Sequence, residues 1–266
     1  MYATINGTRL AYAERGLRHD TSLLLIHGYP LNRHLWDAQL TGLSGAAHVI
    51  APDLRGSGDS PATPGPCSMD QFADDLAGLL DHLNIERAIL AGLSMGGYIA
   101  FAFWRRHAAR VRALALVDTR AEPDNPQARA GRDTSADFAR REGAEALARQ
   151  MLPRLLAPDN FANATLAGRA LAIMTVNPVD GLVCDLQAMR DRPDSRPLLA
   201  QISVPTLVIT GEADQVTPPA DGQALAEAIP GARQVIIPNA GHLSPLENTR
   251  AVNRALRAFV EMVGEV

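Results

Sequence analysis

Short, almost wholly apolar runs recur along the chain at residues 23–26, 48–51, 88–91, 114–117, 206–210 and 235–237, each closed by turn-forming residues. A strand with one wet face alternates polar and apolar residues, whereas a strand covered on both faces has no need to. Between these runs the period changes. Phe72, Leu76, Leu79 and Leu83 fall 4, 3 and 4 apart, with Asp70, Asp74, Asp75 and Asp81 at the polar positions around them. Ser68 and Gln71 offer a capping box at the start of that helix. Near the end, Val252, Leu256, Phe259 and Val263 form one apolar stripe, leaving Arg250, Arg254 and Arg257 to solvent. Buried strands alternating with amphipathic helices make an α/β protein with a mostly parallel sheet. Ahead of them, residues 1–15 read as a β-hairpin turning at Asn6-Gly7, a pair that tolerates positive φ.

One stretch breaks the alternation. From 120 to 196 no run reads as a strand; helical pieces at 136–156, 162–176 and 182–190 are punctuated by Pro123, Pro126, Pro153, Pro158, Pro178, Pro193 and Pro197. Ordinary connections in α/β units are far shorter. The expectation is a core of 1–119 and 197–266, interrupted by a helical insertion, 120–196, lying over the strand ends. Met174, Leu186 and Met189 would line a pocket beneath it, although apolar residues at helical spacing more commonly serve as core.

The most specific chemical signal is Gly92-Leu93-Ser94-Met95-Gly96-Gly97, which follows the run 88–91 and opens a helix over 98–107. A G-x-S-x-G match gains mechanism when it joins a strand to a helix. The serine must then occupy a strained turn that projects its hydroxyl, and Gly92 and Gly96 remove side chains that would clash there. The helix N-terminus directs partial positive charge at the serine, and Arg105, Arg106 and His107 complement the other end.

A serine hydroxyl needs a base, and the base needs an orienting carboxylate. Asp214 follows the run 206–210, and His242 follows 235–237, so both stand in loops at the carboxyl ends of strands, where open α/β sheets place their sites. Asp118, ending the run 114–117, is the rival acid; Glu212 falls nearer the strand. Two backbone N–H groups should hold a developing oxyanion. Met95 supplies one by following the nucleophile; in His27-Gly28-Tyr29-Pro30 the second falls to Tyr29, because Pro30 has none. A histidine base would make activity rise with pH around roughly 6 to 7, from the reference imidazole value.

Other chemistries find little support. The 266 residues, 47% hydrophobic with a formal net charge of −4, suit one compact domain and present no basic footprint for nucleic acid or anionic membrane. The seven histidines show no H-x-H or H-x-x-x-H spacing, so no metal site is expected, and no G-x-G-x-x-G follows a strand, so no dinucleotide cofactor is expected. Gly58-Asp59-Ser60 imitates an esterase motif but lacks its C-terminal partner; Asp53, Arg55 and Asp59 are expected to hold a loop through turn hydrogen bonds and an ion pair. The start of the chain lacks a basic stretch and long apolar run, which points to a cytoplasmic protein. In that setting Cys67 and Cys184 are expected to remain unbridged.

On His27-Gly28, the segment Asp53 to Ser60, the Ser94 elbow, Gly211-Glu212-Ala213-Asp214 and Gly241-His242, the chain resembles the α/β-hydrolase superfamily over essentially its whole length, in the capped carboxylesterase and enol-lactonase branch. The resemblance implies an eight-stranded, mostly parallel sheet, a helical cap after the sixth strand, and Ser94 as nucleophile, Asp214 as acid and His242 as base. Related dehalogenases and epoxide hydrolases place aspartate at the nucleophile position, so Ser94 implies acyl transfer. A small-molecule ester or lactone is the expected partner. The same triad would also serve C–C bond hydrolysis, perhydrolysis or acyl transfer to an alcohol, and the architecture could serve a ligand receptor.

Overall fold

The structure, a computed structural model, describes residues 1–18, 21–65 and 67–264. The hairpin at its start is β1 (Tyr2–Ile5) and β2 (Thr8–Arg15), with Asn6 at φ 47° and Gly7 at φ 77° in the turn. Next come β3 (Ser22–Ile26), α1 (Asp37–Leu43), β4 (His48–Pro52), α2 (Met69–His82), β5 (Ala88–Leu93), α3 (Met95–His107) and β6 (Val111–Val117). Five helices follow without a strand: α4 (Pro126–Leu155), α5 (Pro158–Ala162), α6 (Ala164–Thr175), α7 (Val179–Arg190) and α8 (Arg196–Leu199). The chain then closes through β7 (Thr206–Gly211), α9 (Pro219–Ala228), β8 (Arg233–Ile237), α10 (Ser244–Glu247) and α11 (Thr249–Gly264).

The eight strands form one sheet in the order β1-β2-β4-β3-β5-β6-β7-β8. β2 runs antiparallel to β1 and β4, and the pairs from β4 through β8 are parallel. Strand side chains alternate across the sheet, and both sets are apolar here. Leu24, Ile26, Leu90 and Leu116 pack with residues of α2, α3 and α9. Leu23, Leu25, Ala91 and Val117 face the other way and pack with α1, α10 and α11. That two-sided burial is why the runs of β3 to β7 lack a polar alternate; in the edge strand β8, Ile236 is exposed. The six expected runs all become strands.

Ser68 caps α2 by accepting the Gln71 N–H, so the first half of the capping box forms; the Gln71 side-chain oxygen is buried without a partner and does not complete it. Asp75, on the same helix, turns inward and takes a bidentate pair from Arg55, at 2.8 and 2.7 Å. The α4 segment begins ten residues earlier than the pattern predicts, at Pro126 behind an Asn125 cap, and bends at Gly143, whose φ is 84°. Cys67 and Cys184 correct the expectation of free thiols. They form a disulfide, with Cα atoms 5.3 Å apart, that ties the segment before α2 to α7. Their separation of 117 positions hides that proximity in the sequence. The lack of an export-like start says nothing about spatial distance. Among the described residues no helix is long and apolar enough to cross a membrane.

Candidate active site

β5 ends at Leu93 and α3 begins at Met95, so the turn between them is Ser94 alone. Its backbone sits at φ 54°, ψ −111°, a region that L-residues avoid, and the surrounding backbone holds it there. Ser94 N–H donates to Val117 O at 2.9 Å, and Thr119 Oγ1 donates to Ser94 O at 2.8 Å. A side chain at Gly92 would run into the Gly96 carbonyl, so the turn closes only over glycine. The result is a serine presented at the N-terminus of α3, where the helix dipole favours negative charge.

The two partners arrive from distant loops. Ser94 Oγ donates to His242 Nε2 at 2.8 Å, and His242 Nδ1 donates to Asp214 Oδ2 at 2.8 Å. Asp214 also accepts Val216 N–H at 2.7 Å, Thr217 N–H at 3.0 Å and Thr217 Oγ1 at 2.7 Å. Burial alone would push the Asp214 carboxyl up, but the neighbouring imidazole and the Thr217 donors outweigh it and hold the group below the ordinary carboxylate range. Asp118, the rival acid, points elsewhere. It accepts Gly211 N–H at 2.7 Å and Ser244 Oγ at 2.5 Å, which fastens β7 to the segment after His242. Glu212 is likewise occupied, accepting Asn239 N–H at 3.1 Å.

Two expected donors flank the serine. Met95 is the first residue of α3, and a first-turn N–H has no intrahelical acceptor. Tyr29 lies in the loop after β3, which presses on the elbow: a Cβ at Gly28 would come within 2.8 Å of Leu93 O and 3.1 Å of Ser94 Cβ. His27 anchors that loop. Its Nδ1 donates to Gly28 O at 3.0 Å while Nε2 accepts Leu54 N–H at 3.0 Å, which fixes one neutral tautomer. Burial holds its pKa below the usual imidazole value. The 53–60 loop is held as expected by turn bonds and an ion pair, but the cation is Arg33. Asp53 accepts Arg33 N–H at 2.8 Å and Asp59 N–H at 2.9 Å, and Arg33 Nη2 reaches Asp59 at 2.6 Å.

Three supporting residues escaped the sequence reading. Glu247 accepts Gly241 N–H at 2.9 Å and Leu243 N–H at 3.1 Å through one oxygen, and Ala157 N–H and Asn160 Nδ2 at 2.8 Å through the other. It therefore clamps both flanks of His242 to the segment after α4. Thr217 supplies two of the donors on Asp214. Asn177, just past α6, donates to Pro30 O at 2.8 Å and accepts Gly58 N–H at 2.8 Å. Glu247 falls in Pro245-Leu246-Glu247, where nothing but spacing from His242 marks it.

Ser94 and His242 open onto a cavity of about 590 Å³, walled on the far side by α4 and α7. Leu186 and Met189 line it. Met174 does not: it is fully buried and packs in the layer that includes α1 and α11.

A model of the alpha/beta hydrolase fold family matches residues 21–249, most of the chain. The chain belongs to the alpha/beta hydrolase fold family. Among its relatives in that family, 3-oxoadipate enol-lactonase 2 of Acinetobacter baylyi is 30% identical over 97% of this chain and 95% of that protein. Two solved structures are also similar. An esterase from Thermogutta terrifontis is 40% identical with a TM-score of 0.95, covering 99% of this chain and 98% of that one. The enol-lactonase from Burkholderia xenovorans is 35% identical with a TM-score of 0.90, covering 97% and 99%. Membership of this hydrolase family, with esterases and enol-lactonases among its relatives, supports an ester-hydrolysing enzyme.

Proposed function

We infer that the protein hydrolyses carboxylic esters or lactones through an acyl-enzyme on Ser94. The observation that carries this reading is the unbroken relay from Ser94 Oγ to His242 Nε2 and from His242 Nδ1 to Asp214 Oδ2, each step 2.8 Å. Ser94 attacks the carbonyl carbon as His242 takes its proton, and Asp214 stabilises the imidazolium that results. The N–H groups of Tyr29 and Met95 receive the oxyanion; collapse expels the alcohol, protonated by His242. Water, deprotonated by the same imidazole, then releases the acid. For a lactone the alcohol stays tethered, and one hydroxy acid leaves.

Residues 120–196 act as a cap over a core of 1–119 and 197–266 in this reading. Support comes from α4 and α7, which wall the cavity against Ser94, and from Leu155, whose carbonyl accepts His242 N–H at 2.9 Å. The relatives named enol-lactonase and esterase favour hydrolysis over the other reactions open to the same triad. A panel of simple esters and lactones, assayed with wild type and Ser94→Ala side by side, tests the assignment. Ser94→Ala should lose about six orders of magnitude in kcat, as the nucleophile of a catalytic unit does, while its melting curve stays close to wild type. Retained turnover in that variant would falsify it.

A further inference from the structure

The cavity wall carries more positive charge than the Ser94 relay uses. Arg120, Arg132, Arg154 and Arg192 all line it, against one lining carboxylate away from the triad, Asp124, in a chain whose formal net charge is −4. Three of the four are held within the protein. Arg192 pairs with Asp124 at 2.6 Å, gives its other donors to the carbonyls of Glu122 and Met189, and stacks 4.1 Å over the Tyr98 ring. Arg120 pairs with Asp221 at 3.1 Å. Arg132 is held at one point only: its Nε donates to Asp124 Oδ2 at 2.9 Å, and among the described residues nothing accepts from its two Nη groups. Arg154 has no ion pair among the described residues. Beside them the Tyr29 hydroxyl is buried without a hydrogen-bond partner, in a residue only 4% exposed. Burial raises its pKa, so it stays an O–H donor.

This arrangement suits an anionic ligand. Asp124 holds the Arg132 guanidinium through Nε and leaves its end face, two parallel N–H groups, without a protein acceptor among the described residues; such a face matches a carboxylate in bidentate geometry. Two carboxylates, Asp124 and Asp221, offset two of the four guanidiniums, and among the described residues the remaining positive charge has no counter-ion at the wall. Resting on the reading of Ser94 as an esterolytic nucleophile, we propose that the substrate carries a free carboxylate besides its ester or lactone bond, received by the Arg132 end face with Arg154 and the Tyr29 hydroxyl beside it. The acid group thereby orients the molecule along α4 while the scissile carbonyl meets Ser94.

The test compares the half-ester of a linear dicarboxylic acid with its neutral diester. Wild type should favour the half-ester in kcat/KM by about 10-fold or more, and added salt should erode the preference. Arg132→Gln should cut the ratio of half-ester to diester by about 10- to 100-fold, the range for a charge-assisted hydrogen-bonded contact, and Arg132→Lys should restore part of it. Arg154→Gln, which leaves Asp124 and Arg192 paired, should move the same ratio downward even if Arg132→Gln loosens the wall. A wild type that hydrolyses the diester as well as the half-ester at every salt concentration overturns the receptor alone. The same ratio in all variants does so too. Failure of wild type on both substrates overturns the receptor together with the hydrolase reading.

Discussion

Glu247 lies five positions beyond His242 and ties several segments of the candidate site together. Its carboxylate accepts from the backbone on both sides of His242 and from Ala157 and Asn160 beyond α4. Glu247→Ala should therefore destabilise the fold by about 1–3 kcal/mol through stranded donors, and lower kcat more than it alters KM, because the imidazole loses its register with Ser94. A melting curve with steady-state kinetics on one ester checks both; unchanged kcat would detach Glu247 from the relay. Ser94 and His242 are legible from sequence because each has a local context with few meanings: an elbow between strand and helix, and a glycine-histidine pair past a strand. Asp214 is less so. It and Asp118 both end strands, and only the direction of each carboxylate separates them, Asp214 toward His242 and Asp118 toward Gly211 and Ser244. The Arg132 cluster is invisible for the same reason, since its meaning lies in which carboxylate each guanidinium meets.

Elements were readable where their burial is simple. Strands covered on both faces and helices with one apolar stripe, such as α2 and α11, appear in the sequence almost as they stand in the structure. Between β6 and β7 the helices pack partly on one another, so their stripes blur: α4 starts early and bends at Gly143, and α5 and α6 divide at Asn163. Two predictions belong here. Ser68→Ala removes the α2 cap and should cost about 1 kcal/mol, measured by denaturant midpoint at constant slope. Breaking the Cys67–Cys184 link with Cys67→Ser should cost more. The bridge closes a loop across 117 residues, for which chain entropy gives a stabilisation of about 4–5 kcal/mol. Wild type under reductant should melt with the variant; identical melting of oxidised wild type and variant would show that the bridge does not form in solution.

Across the whole molecule, the site depends on loops converging from β3, β5, β7 and β8 at one rim of the sheet, and the buried carboxyls there couple stability to pH. Asp118 has its pKa raised well above the ordinary carboxylate value, chiefly by burial and then by the charge on Asp214. A raised folded-state pKa gives stability that is present at low pH and lost as pH rises through that value. Asp118→Asn keeps an acceptor for Gly211 N–H and removes this dependence, so the stability difference, variant minus wild type, should grow as pH rises above about 4. A difference flat in pH would contradict the shift. The parallel sheet and the gathering of the loops at the carboxyl ends of its strands were foreseeable from the alternation of strands and helices; the strand order was not. The charge on the cavity wall was not, because it needs the depth and facing of helices that meet only in three dimensions. The central claim, that Ser94 carries the acyl group, is tested most directly by acid-quenching the enzyme milliseconds after mixing with an activated ester and mapping the added mass. The account predicts one acyl group per chain, on the Ser94 peptide, absent in Ser94→Ala; turnover with no acylated peptide, or acylation at another residue, would contradict it.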